Sequence, residues 1–80
     1  SEVRTISLLF DAGKDLETEF ERKIQQAIAA AESADVLLVS DRMPTARDAA
    51  LPALRFMSRL HSELVAKGRR GRVGLVADIG

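Results

Sequence analysis

Ala34-Asp35-Val36-Leu37-Leu38-Val39-Ser40-Asp41 sets four consecutive bulky aliphatic residues between polar neighbours. A run this short, apolar on both of its alternating faces, is the pattern of a central strand in a parallel sheet, where other layers cover each side. Two further runs share its character. Arg4 to Phe10 alternates, with Ile6, Leu8 and Phe10 on one face and Thr5, Ser7 and Leu9 on the other. Val73-Gly74-Leu75-Val76-Ala77 is apolar on both faces, with Gly74 leaving room for a close neighbour.

The segments between these runs have helical spacing. Leu16, Phe20, Ile24, Ala27, Ile28 and Ala31 recur at steps of three and four, which lays one apolar stripe along a helix. Asp15 is its expected cap, and Glu17, Glu19 and Glu21 crowd its first turns, where the helix dipole favours anions. In the second segment, Thr45 and Asp48 have capping-box spacing, yet Pro52 follows seven residues after Thr45, where it would remove a helical hydrogen bond. The expectation is a kink at Pro52, or a short first turn followed by a helix from near Leu51. Ala53, Phe56, Met57, Leu60 and Leu64 then make the buried stripe, and Gly68 ends the helix in a left-handed cap.

Together these give a β-α-β-α-β unit: an α/β fold with a three-stranded parallel sheet, half of a doubly wound, Rossmann- or flavodoxin-like arrangement. Parallel crossovers are right-handed, so strand order decides what each face meets. Order 2-1-3 puts the helices on opposite faces and closes the chain as a thin sandwich. Order 1-2-3 puts both helices on one face and leaves the other, carrying Leu37 or Leu38, to be covered by a second copy or by another part of a larger protein. The two-sided apolar strands fit either the first arrangement or the second with its bare face covered.

Composition bounds the rest. Eighty residues make one domain with a thin core, and 46% apolar with 30% charged residues is a globular balance. With no cysteine, disulfides and thiolate metal sites are excluded. No run approaches the ~18 apolar residues of a membrane span, and no signal-like stretch opens the chain, so the expected compartment is the cytoplasm. The chain starts at Ser1 without Met and stops at Gly80 directly after an apolar run; it is expected to be one domain, 1–80, cut from a larger protein. Net charge is zero but polarised: residues 1–40 hold four basic and eight acidic groups, and residues 41–80 the reverse. Nine of the twelve cations are Arg, which favours bidentate pairing with carboxylates or phosphates.

Ligands of open parallel sheets bind at the carboxyl ends of the strands, and each strand here ends in an aspartate: Asp11, Asp41 and Asp78. Three carboxylates on one rim would hold Mg²⁺, and Asp11, Gly13, Lys14, Ser40 and Arg42 would form the adjoining site for a phosphate-bearing ligand. Asp is also an ordinary turn residue after a strand. There is no Gly-x-x-x-x-Gly-Lys-Ser/Thr loop and no Gly-x-Gly-x-x-Gly fingerprint, so a self-sufficient nucleotide site is not expected. His61, the single histidine, lacks a nucleophile partner in any recognisable motif, and reads as structural. The basic Lys67-Gly68-Arg69-Arg70-Gly71-Arg72 stretch has no interleaved aromatics, so it reads as a solvated loop, with no nucleic-acid partner expected.

Ser7 to Gly13, the helix from Leu16, and Ala34-Asp35-Val36 leading to Asp41 resemble the second half of a P-loop GTPase domain, in which a strand runs into Asp-x-x-Gly. Gly13 comes one residue early, the phosphate loop is missing, and Val76-Ala77-Asp78 stands where guanine recognition would need Asn-Lys-x-Asp; the resemblance implies a degenerate, nucleotide-free relative. Ser40-Asp41-Arg42-Met43-Pro44 is similar to the phospho-acceptor region of response-regulator receivers, with one residue fewer between Asp and Met-Pro, and implies Asp41 as acceptor. A fainter likeness is to soluble tail domains of bacterial membrane proteins found beside GTPases. The leading functional expectation is a non-enzymatic interaction or regulatory module that buries a sheet face or edge against a protein partner or in a homodimer; the rival is a phosphate- or Mg²⁺-dependent site on the strand-end aspartates.

Overall fold

The computed structural model describes residues 2–80. In chain order the elements are β1 (Val3–Ser7), β2 (Leu9–Asp11), α1 (Leu16–Ala30), β3 (Val36–Ser40), β4 (Asp48–Ala50), α2 (Ala53–Ala66) and β5 (Gly74–Asp78). β1, β3 and β5 form the parallel sheet, in that order, and the α/β character follows from the two helices linking them. The register is unbroken: Thr5, Leu38 and Val76 lie side by side, as do Ser7, Ser40 and Asp78.

Strand order is therefore 1-2-3, and right-handed crossovers bring both helices to one face. They touch there. The Phe20 and Phe56 rings meet edge to face at 5.4 Å, and the Arg55 guanidinium lies 4.2 Å from the Phe20 ring centre. Between helices and sheet sit Ile6, Leu37, Val39, Ile24, Leu60 and Leu64, all buried. On the opposite face, Val3 and Val76 are 56% and 50% exposed, and none of the described residues covers them. The closed 2-1-3 sandwich is thus not formed: a run apolar on both faces marks a strand suited to cover on each side and carries no information on which segment supplies that cover.

The first apolar run is broken in two. Leu8 donates its N–H to the Ser40 carbonyl at 2.7 Å and accepts from the Leu51 N–H at 2.8 Å, so it ends the parallel ladder and opens a second one. Beyond it, β2 pairs antiparallel with β4, Phe10 facing Ala49. The segment expected to begin a helix at Thr45 is this β4 excursion. The capping contact itself is present, with Asp48 Oδ2 accepting from the Thr45 N–H at 2.8 Å and hydroxyl at 3.1 Å, but it closes a turn and extended chain follows. There is no kinked helix: Pro52 is the N-cap of α2, where its missing N–H costs nothing.

Helix ends match their sequence signals more closely. Asp15 caps α1 by accepting from the Thr18 N–H at 2.9 Å. At the far end of α2, Gly68 has φ 69°, and the N–H groups of Gly68 and Arg69 return to the carbonyls of Val65 and Leu64 at 3.0 and 2.8 Å. That is the Schellman closure, which needs a left-handed residue at this position.

The polarised charge is consumed inside the molecule. Acidic α1 lies against basic α2: Glu17 pairs with Arg55, Glu21 with Arg59, which also holds Glu63, and Glu32 meets Arg69 beyond the helix. These contacts hold the carboxyls of Glu17 and Glu21 below their ordinary range, chiefly through the guanidinium hydrogen bonds.

Candidate functional site

The carboxyl ends of β3 and β5 come together through backbone as well as side chains. Asp41 N–H donates to the Asp78 carbonyl at 3.3 Å, Arg42 Nε donates to Asp78 Oδ1 at 2.9 Å, and Asp41 Oδ1 accepts from the Gly80 N–H at 2.8 Å. Ser40 turns the chain by accepting from the Arg42 N–H at 3.1 Å. Four of the residues singled out from the sequence, Ser40, Asp41, Arg42 and Asp78, thus form one connected cluster.

Asp11, Gly13 and Lys14 form a separate turn at the end of β2. Asp11 Oδ1 accepts from the Gly13 N–H at 2.8 Å and its carbonyl from the Lys14 N–H at 2.9 Å. Asp11 faces Asp48 across the two-stranded ribbon and not Asp41 or Asp78. Among the described residues, no group of three or more acidic, histidine or cysteine side chains is placed to hold a metal ion.

Between the β3 end and the ribbon lies an open cavity of about 550 Å³, a size in the range of ligand clefts. Its walls are mainly apolar, from Leu9, Met43, Pro44, Ala49 and Ala50, with Asp41, Arg42 and Asp48 at the margin. Asp outnumbers Arg there, and Arg42 is already paired with Asp78. A phosphate would therefore meet two carboxylates for one committed guanidinium, which repels more than it attracts. Met43 stands at the lip with φ 65° and 88% exposure. A left-handed non-glycine residue costs on the order of 1 kcal/mol, and here it turns an apolar side chain outward.

The cavity escaped sequence reading because half of it is built by the β2–β4 ribbon. The available signal was the pair Pro44 and Pro52 bracketing seven residues, too short a stretch for a helix of ordinary length.

His61 takes the structural role expected of it. Its Nδ1 accepts from Arg70 Nε at 3.0 Å while Arg70 Nη1 donates to the Val73 carbonyl at 3.1 Å, which ties the basic loop to α2. Lys23, by contrast, is buried on α1, and burial pushes its amine below the usual lysine range.

The architecture defines a one-sided α/β layer: two helices on one face of three parallel strands, an uncovered face behind, and an apolar cavity at the carboxyl rim. Over residues 1–80 the chain matches the glutamate synthase central domain, and it belongs to that family. This replaces the resemblance to P-loop GTPases and receivers, whose shared residues, a strand followed by Asp and a nearby Gly or Met-Pro, are turn chemistry common to parallel sheets. No curated protein and no solved structure matches the chain. Among the described residues no helix is long and apolar enough to cross a membrane.

Proposed function

We propose that this chain is a non-catalytic structural layer of a larger glutamate synthase polypeptide, and that it buries its uncovered sheet face against a neighbouring part of that protein. The carrying observation is strand order β1-β3-β5 with both helices on one side, which leaves Val3, Leu38 and Val76 on a face that neither helix covers among the described residues. Burying such a face contributes roughly 25 cal/mol per Å² of apolar surface. The polar residues at the strand ends support the same reading, since Ser40, Asp41, Arg42 and Asp78 spend their hydrogen bonds on one another and on holding loops.

The test is thiol accessibility. With Val76→Cys in the full polypeptide and in the 80-residue chain alone, maleimide labelling should be strongly slowed in the former and fast in the latter. Equal, fast labelling in both would remove the proposal.

A further inference from the structure

We infer that the uncovered face and the cavity beyond it form one docking surface, whose occupant is a single amphipathic α-helix of the same polypeptide, running antiparallel to the strands with its amino terminus at the acidic rim. This rests on the docking reading above and names what docks.

Continuity comes first. The last row of the open face is Ser7, Ser40 and Asp78, and the residues two further along each chain, Leu9, Arg42 and Gly80, all line the cavity. Face and cavity thus form one track, apolar at Val36, Leu38 and Val76 and apolar again at Leu9 and Met43.

Dimensions then select the occupant. Three strands spaced ~4.8 Å apart set their outer axes about 10 Å apart, which is the diameter of one helix. Five-residue strands run about 17 Å, the length of roughly eleven helical residues. A patch of this width and length offers on the order of 200–300 Å², well short of the ~800 Å² per partner of a stable interface between separate chains. A second copy is thereby disfavoured. A covalently connected segment is not bound by that limit, because linkage supplies an effective concentration of about millimolar or more.

Charge sets direction. Among the cavity-lining residues Asp41 and Asp48 stand against a single guanidinium, Arg42, which is itself paired with Asp78, and a helix amino terminus carries about half a positive charge. A helix so oriented runs antiparallel to the strands, in the sense that α1 and α2 already take on the other face.

The experiment places a benzophenone maleimide on Ser40→Cys and, separately, on Val36→Cys and Val76→Cys in the full-length polypeptide, and maps photocross-links by mass spectrometry. The expected result is intramolecular links to one segment, at residues spaced three and four apart, with Ser40→Cys linking nearer that segment's amino terminus than Val36→Cys. Links spaced by two, the reverse direction, or a cross-linked dimer would overturn the helix while leaving the buried face intact. An absence of links together with fast thiol labelling would overturn the docking reading itself. Ser40→Cys is nearly isosteric, so the test survives if a valine variant folds poorly.

Discussion

Phe20 is where the two helices are joined, and its removal should be the most damaging single change in the core. The ring is 1% exposed, with the Phe56 ring on one side and the Arg55 guanidinium on another. Truncating a buried Phe to Ala costs about 3–5 kcal/mol. At roughly 0.05–0.15 kcal/mol per residue, a domain of this length holds only about 4–12 kcal/mol in total, and the uncovered face puts this one toward the low end. Phe20→Ala should therefore leave little folded population in urea titrations followed by circular dichroism. Phe20→Leu keeps the hydrocarbon but loses the edge-to-face and cation–π contacts, about 1–2 kcal/mol together. For a domain of this size that lowers the melting temperature by about 4–16 °C. Leu54→Ala, at an exposed position on α2, is the control and should change stability by less than about 0.5 kcal/mol. If Phe20→Ala melts cooperatively within a few degrees of the parent while Leu54→Ala does not, the helices do not share a face, and the one-sided layer falls with them.

Acid should loosen the same helix pair. Asp15 is held below the usual carboxylate range by the Thr18 N–H, and Glu17, Glu19 and Glu21 by Arg55, Arg22 and Arg59. Depressed carboxyls contribute stability that is fully present above their unfolded values, near pH 4, and is lost as pH falls through their lower folded values. Thermal melts at stepped pH should thus hold steady down to about pH 5 and drop below about pH 4; Arg59→Met should flatten that drop, and a drop of undiminished size in that variant would disprove the assignment. Gly68→Ala places a Cβ on a left-handed residue with open space around it. The cost is purely conformational, about 1 kcal/mol in chemical denaturation, and a neutral result would mean the loop relaxes out of the Schellman closure.

What could be read from the sequence was whatever is decided locally. The central strand, the α1 stripe, the Asp15 cap and the Gly68 stop each depend on residues within a few positions of one another, and the structure has them, except that the stripe is buried from Phe20 onward and Leu16 is exposed. Failures came where two distant segments decide together. Thr45 and Asp48 make the same side-chain contact in a helix cap or in a turn, and pairing with β2, thirty-odd residues upstream, selects the turn. Strand order stayed open for a related reason: strands apolar on both faces fit order 2-1-3 and order 1-2-3 with a covered rear face equally well, and the structure has the second order. Of the site, the cluster Ser40, Asp41, Arg42 and Asp78 was legible because strand ends of a parallel sheet share one rim. The cavity beside it was hidden by the ribbon that walls it.

Leu8 carries a constraint out of proportion to its size. It answers to two ladders at once, taking Ser40 as acceptor and Leu51 as donor, so the side-chain alternation of the ribbon is phased to that of the main sheet through a single residue. One residue added or deleted there would shift the phase by half a period, turning Phe10 to solvent and Asp11 inward. Length variation can be absorbed in the basic loop after α2, but at this junction the chain has no slack.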